Sequence, residues 1–270
     1  MNDIKSDMRK NALLIICLLL AGNLSGQQLD TSWQREFTEH VKSIDEFMKR
    51  FNGEEAYPGI AKEDDNFLKL NLFSLLDRGM NNTLKQKATE FVSTIIESGV
   101  KLHYADTLWY AEAVCGITYK GKPKKVTLFL CPEKITNNRY RWAICGAKGI
   151  YENIIDVKSR SAISPVEHEI HFMELQSIFK NDRQHSFGYR KNDYQLDQLS
   201  VLLTLIYDGQ IDFLSVDETK FFFLNVPDYV FKVEEVGRRG SNAGWLITSF
   251  QKVLQSEKTE YITNLLNKQK

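Results

Sequence analysis

Two stretches of the chain carry the same alternation of apolar residues, and each ends in a segment with a tryptophan. The first is residues 124–148, with a polar turn at 136–138 and Trp142 after it; the second is residues 229–252, with Trp245. A gapless alignment of the two tryptophans also aligns three apolar pairs: Val126 with Tyr229, Leu128 with Phe231, and Leu130 with Val233. A period of two is typical of β-strands. The pattern therefore predicts antiparallel strands in two related halves.

The size and charge of the chain limit the classes of partner. Its 270 residues, 43% of them hydrophobic, suffice for one large domain or two of ordinary size, and we predict two. Lysine plus arginine and aspartate plus glutamate each number 35. Because no net charge attracts a polyanion, we predict no nucleic-acid partner. The basic cluster at Lys120, Lys122, Lys124 and Lys125 is interpreted as a solvated turn.

The N-terminus has the three-part form of a secretory signal. Lys5, Arg9 and Lys10 precede an uncharged apolar run at residues 12–21, and small and polar residues follow as far as Gly26. The run is too short for a comfortable membrane span. We therefore predict a signal peptide over residues 1–26, an exported protein that is periplasmic or extracellular, and no membrane span after its removal. An uncleaved anchor is the alternative, because the cleavage site lacks a clean Ala-x-Ala pattern.

The remaining chain divides into a helical and a strand-rich part twice over. In the first half, residues 30–155, helical spacing and caps predict helices ending at Phe51, over residues 66–77 and from Asn81 or Asn82 to Gly99. Strands are predicted at residues 100–104 and 108–119, before the hairpin. A boundary is predicted near Ser159.

The second half, residues 164–255, repeats this order. Helices are predicted over residues 164–180 and from an N-cap at Asp193, followed by strands at 211–214, 220–226, 229–236 and 245–253. Residues 256–270 are predicted to form a C-terminal helix and tail.

Both faces of the first sheet are apolar. Val126 and Leu128 lie on one face, but Phe129 and Cys131 on the other are nearly as apolar. A sheet with one solvated face should alternate apolar and polar residues. We therefore predict that the second face is covered by the other half or by a partner chain, which makes it a candidate surface for self-association. The face of Trp142 depends on the turn, since a slip of one residue moves it across the sheet.

Three cysteines follow the signal: Cys115, Cys131 and Cys145. An odd number allows at most one disulfide. If Asn137 and Asn138 form the hairpin tip, Cys131 and Cys145 fall on opposite faces, which argues against a bridge between them. Buried thiols are the preferred interpretation. No spacing typical of a zinc site occurs, and no metal or cofactor is predicted.

This order of elements resembles the nuclear transport factor two-like fold, also called the cystatin-like cone. The resemblance covers residues 31–151 and, more loosely, 165–254, and it rests on helices followed by one short and three long strands with a bulky aromatic residue near the end. It implies an α+β fold in which helices pack on a curved antiparallel sheet and leave a cone-shaped pocket. Members of that superfamily include isomerases, dehydratases and cyclases, and many others only bind ligands or dimerise.

The candidate site residues lie where such a cone would open. His103, Asp106 and Glu112 are candidate catalytic residues, since a histidine and a carboxylate in one pocket can act as a general acid and base. Candidate ligand-binding residues are the neighbouring aromatics Tyr104, Trp109, Tyr110 and Trp142. The alternatives are an ordinary turn at Asp106 and a strand-edge Glu112 that reaches solvent.

The sequence predicts an exported binding or protein-interaction module whose ligand or partner, a small molecule or a protein, is not specified. The alternative is a small-molecule enzyme, a lyase, isomerase or hydrolase, with Glu112 or the His103 and Asp106 pair as acid or base. No phosphate-binding glycine loop or nucleophile elbow is present in the sequence.

Overall fold

The computed structural model describes residues 44–135, 139–154, 175–181, 183–191, 194, 197–239 and 242–266. The helices described are α1 (44–51), α2 (Phe67–Ser74), α3 (Asn82–Ser98), α4 (Ile150–Asn153), α5 (Leu175–Asn181), α6 (Gln198–Tyr207) and α7 (Lys258–Leu265). The strands are β1 (Trp109–Tyr119), β2 (Lys122–Lys134), β3 (Tyr140–Lys148), β4 (Ile211–Phe223), β5 (Tyr229–Val236) and β6 (Gly244–Lys252). Short 3-10 helices occupy Arg183–Tyr189 and Gln255–Glu257. The predicted α+β fold class is confirmed, while the signal segment and the boundary near Ser159 lie outside the described residues.

The six strands form one antiparallel sheet in the order β3-β2-β1-β4-β5-β6. Each predicted half contributes a three-stranded meander, and the first strands of the two meanders, β1 and β4, pair at the centre. The halves therefore share a single sheet.

The two meanders carry a β-bulge at matching positions. The pairing of β2 with β3 shifts register between Phe129 and Leu130, and that of β5 with β6 shifts between Lys232 and Val233. Phe129 and Lys232 are the same number of residues apart as Trp142 and Trp245. Bulges are specific backbone features, so this match extends the sequence alignment to the backbone. Descent of the halves from one duplicated unit stays a prediction.

Helices α1 to α3 and α6 pack mainly on strands of the half to which they do not belong. The first half's helices α1 to α3 pack on the second meander and the start of β1, where Phe91 stacks on Phe250 with ring centroids 4.4 Å apart and Phe51 stacks on Phe231 at 5.6 Å. Helix α6 of the second half packs on the first meander through Leu202, which is fully buried. This exchange ties the two halves together more firmly than contact between separate domains would.

The other face of the sheet is covered near its centre by α7. Phe129 is fully buried there, in a cluster with Tyr110, Val230 and Leu266. Gly146 allows this close approach, because a Cβ at that position would lie 3.0 Å from the carbonyl oxygen of Leu266. The cover predicted for this face is thus supplied by the chain's own C-terminal segment, and it does not require a partner chain.

Helix α3 follows its sequence signals closely. The side chain of Asn81 accepts a hydrogen bond from the backbone N–H of Leu84 at 2.9 Å, and Gly99 ends the helix with a φ of 61°. These are the expected N-cap and the left-handed C-terminal glycine. The predicted helix from Asn81 to Gly99 is confirmed.

The strand predicted at residues 100–104 is wrong. No neighbouring strand pairs with this segment, and its backbone is instead bonded to a side chain. The amide of Asn52 donates to the carbonyl of Leu102 at 2.9 Å and accepts from the N–H of Leu102 at 2.8 Å. A side chain that satisfies both backbone groups removes the need for a strand partner.

Two boundaries in the second half also differ from the prediction. Residues 211–214 and 220–226 were predicted as separate strands, but β4 is one continuous strand that includes the polar residues between them. Its pairing with β1 shifts register twice. The helix predicted from Asp193 is capped by Asp197, whose carboxylate accepts from the N–H of Ser200 at 2.9 Å. Asp193 lies outside the described residues.

The pairing of β2 with β3 shows on which face of the sheet Trp142 and Cys145 lie. Lys134 pairs with Tyr140, so Trp142 lies opposite Pro132 and on the helix-covered face with Leu130. Cys145 is the extra residue at the bulge, and it packs in the same α7-side cluster as Cys131. The expectation that the two cysteines lie on opposite faces is therefore wrong, because Cys131 pairs with Ala143 and normal alternation from Ala143 places Cys145 on the same face.

Helix α7 is anchored by Lys258, which is only 4% exposed. Its ammonium group donates to the carbonyls of Leu224 at 2.6 Å and Val226 at 2.7 Å. Burial lowers the pKa of Lys258 below its usual value, and the nearby carboxylate of Asp228 offsets part of this shift. The folded protein thus releases the Lys258 proton at a lower pH than the unfolded chain does.

The lower pKa of Lys258 in the folded protein should make the free energy of unfolding depend on pH, and Lys258→Met should remove this dependence. Between the lowered pKa and the usual lysine pKa of 10.5, the unfolded chain binds more protons than the folded protein, so the stability contributed by Lys258 rises with pH across that window. Urea unfolding of both proteins from pH 7 to 10.5 should show the wild type gaining stability relative to the variant. A constant difference, or a gain by the variant, would contradict the prediction. Other titrating groups are common to both proteins and cancel.

Candidate functional site

Asp106 has a structural role in the loop before β1. Its carboxylate accepts hydrogen bonds from the backbone N–H of His103 at 2.9 Å and from the side chain of Asn225 at 3.0 Å. The N–H of Asp106 in turn donates to the carbonyl of His103 at 3.0 Å. The imidazole of His103 is exposed. The pair therefore closes a turn and fastens it to the segment after β4, which is the alternative interpretation given to Asp106.

Glu112 lies on the α7-covered face of the sheet. Its carboxylate is 3.8 Å from Lys220, which also lies 3.2 Å from Glu218 and 3.7 Å from Glu234. Burial lowers the pKa of Lys220, but the three carboxylates outweigh burial and raise it above its usual value. Glu112 thus belongs to a network of ion pairs across three strands, and the structure shows no hydrogen bond or ion pair between it and His103.

Three of the four candidate ligand-binding aromatics come together. The ring centroids of Trp109 and Trp142 are 4.8 Å apart, and Tyr104 lies 5.4 Å from Trp109 and 5.7 Å from Trp142. Trp109 is fully buried and stacks on Phe223 at 5.4 Å. Within the described part of the chain, the indole N–H of Trp109 has no hydrogen-bond partner. The group forms part of the core.

Tyr110, the fourth candidate, points to the opposite face. It packs in the cluster under α7 with Cys131 and Cys145. Burial raises the pKa of Tyr110 to about 12, and the two thiols add to the shift. Its phenol therefore stays protonated at neutral pH and lies apart from the other three aromatics.

A cavity of about 760 Å³ lies at the other end of the first meander, beside α6. Its walls come from the turn between β1 and β2, the segment after α4, the 3-10 helix Arg183–Tyr189 and α6. The described residues that line it are Tyr119, Lys120, Ile154, Arg183, Phe187, Ser200, Val201, Thr204, Leu205 and Gln210. Apolar side chains and a few polar groups thus face one space.

Local sequence explains how these residues reach the cavity. Lys120 and Gly121 have φ values of 50° and 73°, the left-handed pair that a two-residue hairpin turn requires. On α6, Val201 and Leu205 are four residues apart, so they lie on the same side of the helix. The hydroxyl of Ser200 donates to Asp197 at 2.6 Å, which leaves its oxygen able to accept one more hydrogen bond.

Two of the described residues that line the cavity, Lys120 and Arg183, are cations. Within the described residues, no ion pair is formed by Lys120 or Arg183. The ammonium of Lys120 instead lies 5.1 Å from the centre of the Tyr119 ring. Gln210 adds a side-chain amide. The cavity therefore offers donors and positive charge over apolar walls.

The sequence interpretation missed this site. It assigned Lys120 to a solvated turn and gave Ser200 and Thr204 no role. One signal was present: two hydroxyl residues four apart interrupt a helix that is otherwise mostly apolar. Arg183 gave no signal, because its place at the cavity depends on how a 3-10 helix packs beside α6.

Comparison of the chain with protein-family models, curated proteins and solved structures finds no match. Among the residues that the structure describes, no helix has the length and apolar character needed to cross a membrane. In the same ranges, His, Cys, Asp and Glu side chains do not gather in threes where they could hold a metal ion.

Proposed function

We propose that the protein is an exported binding module whose small-molecule ligand occupies the cavity beside α6. The cavity volume of about 760 Å³ carries the proposal. Ligand sites in proteins are typically clefts of roughly 300–1,000 Å³ with mostly apolar walls and a few placed polar groups. Phe187, Val201 and Leu205 supply such walls here, and Lys120 and Arg183 supply the polar groups.

The lining favours binding over acid–base catalysis. None of the described residues that line the cavity is a histidine, aspartate, glutamate or cysteine. General acid–base catalysis uses a group whose pKa lies near the operating pH, and lysine, arginine and serine have ordinary values far from it. Of the other candidates, Asp106 is bonded in a turn and Glu112 belongs to an ion-pair network, while the exposed His103 does not line the cavity.

Export is part of the proposal and rests on the N-terminal sequence. Basic residues up to Lys10 precede the apolar run at 12–21, and small residues follow. A module that binds small molecules outside the cytoplasm fits both this leader and the cavity.

Filling the cavity should abolish binding. Leu205→Trp places an indole in the space, so it should weaken binding of the fluorescent naphthalene probes N-phenyl-1-naphthylamine and 8-anilino-1-naphthalenesulfonate at least about tenfold, as expected when a pocket loses its apolar contacts. The measurement is a fluorescence titration of each probe at fixed protein concentration.

The matched control is Leu203→Trp, on the same helix. Leu203 is 46% exposed and does not line the cavity, so its variant should bind as the wild type does. Thermal unfolding checks that both variants are folded. If Leu205→Trp and Leu203→Trp both bind the probes like the wild type, the cavity is not the binding site.

A further inference from the structure

We propose that the ligand is an organic anion with an apolar body, whose anionic group lies between Lys120 and Arg183. This inference rests on the binding function proposed for the cavity and names the chemical class of its ligand. It follows from the charge, the backbone and the walls of the site.

The described residues that line the cavity carry two positive charges and no negative charge. Lys120 and Arg183 come from different parts of the chain and line one space, while no described lining residue is acidic. A bound anion would be attracted by both cations. A guanidinium also presents a planar set of donors that matches the two oxygens of a carboxylate or a sulfonate. The site is therefore complementary to an anionic group.

The backbone places Lys120 at the cavity at some cost. Its φ of 50° lies in the left-handed region, where Asn, Asp and Gly are favoured and other residues are uncommon. The ring of Tyr119, 5.1 Å away, supports the ammonium group without neutralising it. The turn and the ring together place the ammonium group of Lys120 at the edge of the cavity.

The walls determine the rest of the ligand. Ile154, Phe187, Val201 and Leu205 form an apolar lining that a hydrocarbon or aromatic body would fill. Small inorganic ions would leave this lining exposed to water, which is unfavourable. The lining therefore favours an amphipathic anion over free phosphate or sulfate.

The two naphthalene probes test the class directly, since they share one skeleton and differ by a sulfonate. Wild type should bind 8-anilino-1-naphthalenesulfonate more tightly than the neutral N-phenyl-1-naphthylamine. The double variant Lys120→Gln/Arg183→Gln should weaken sulfonate binding about tenfold, the sum of two partly screened ion pairs, and leave neutral-probe binding within about twofold. Raising the salt concentration should weaken only the sulfonate.

The control removes an exposed charge next to the site. Lys122 is two residues from Lys120 and does not line the cavity, so Lys122→Gln should bind both probes like the wild type. Unchanged sulfonate binding in the double variant, or equal loss of both probes, would overturn the anion inference and leave the binding proposal standing. If Leu205→Trp leaves both probes bound, the binding proposal fails and the inference with it.

Discussion

Replacing Asn71 with alanine should lower the free energy of unfolding by about 3 kcal/mol, because three backbone groups lose their partner in a buried site. Asn71 is fully buried. Its carbonyl oxygen accepts from the N–H of Tyr57 at 2.6 Å, and its amide donates to the carbonyls of Arg50 and, at 3.1 Å, Glu55. One side chain thus fixes the loop after α1 against α2.

Asn66→Ala is the matched control for this prediction. Asn66 stands just before α2, is exposed, and makes no side-chain capping hydrogen bond, so its loss should change stability by less than about 0.5 kcal/mol. Urea unfolding followed by tryptophan fluorescence measures both variants. Equal and small effects of the two substitutions would show that the Asn71 hydrogen bonds do not hold the loop.

The features that the sequence predicted correctly depend on neighbours along the chain. The caps of α3 at Asn81 and Gly99 are local signals, and the period-two pattern of the two hairpins reports the faces of each strand directly. Phe129 is an example: because it lies on a second apolar face, the sequence predicted that this face is covered, and in the structure it is buried. The pattern could not say that the cover is α7.

The features that were missed depend on contacts between distant segments. Nothing in the sequence distinguishes Asn52 and Asn71, which bind backbone of other segments, from exposed asparagines such as Asn66. The exchange of helices between the halves is likewise set by packing, since an amphipathic helix fits either meander equally well by its pattern alone.

The sequence grouped three aromatic residues that meet in the structure, but it did not predict the cavity beside α6. Tyr104, Trp109 and Trp142 were grouped because they are large aromatics near strand ends, and they do meet. Their role in the core could not be predicted, because burial of an aromatic cluster depends on the helices placed over it. The walls of the cavity come from four separate segments of the chain. Of its polar residues, only Lys120 was interpreted in the sequence, as part of a solvated turn.

Helix α6 connects the site to the stability of the fold. Leu202 faces the core of the first meander, while Val201 and Leu205 line the cavity. A ligand held against these side chains would stabilise the packing of α6 on the sheet, and through it the exchange of helices between the halves. Binding of an organic anion should therefore raise the unfolding temperature in proportion to its affinity and concentration.

Replacing Trp109 with alanine should have the largest effect of any single truncation considered, about 3–5 kcal/mol, the usual cost of removing a buried large aromatic. Trp109 is fully buried at the start of β1, where the two meanders meet. It contacts Tyr104, Trp142, Phe221 and Phe223. Its loss would leave a cavity at the junction of both halves. Chemical denaturation followed by circular dichroism measures the change, and Leu108→Ala, at a neighbouring residue that is 37% exposed, is the control.

A second variant tests the unpaired indole N–H. Trp109→Phe keeps an aromatic ring to stack on Phe223 and removes a buried donor that has no acceptor among the described residues. Because the ring is kept and the N–H has no partner to lose, the phenylalanine variant should lose at most about 1.5 kcal/mol relative to the wild type. A loss above about 3 kcal/mol would show that the N–H contributes a hydrogen bond in the wild type, through a bound water or another group.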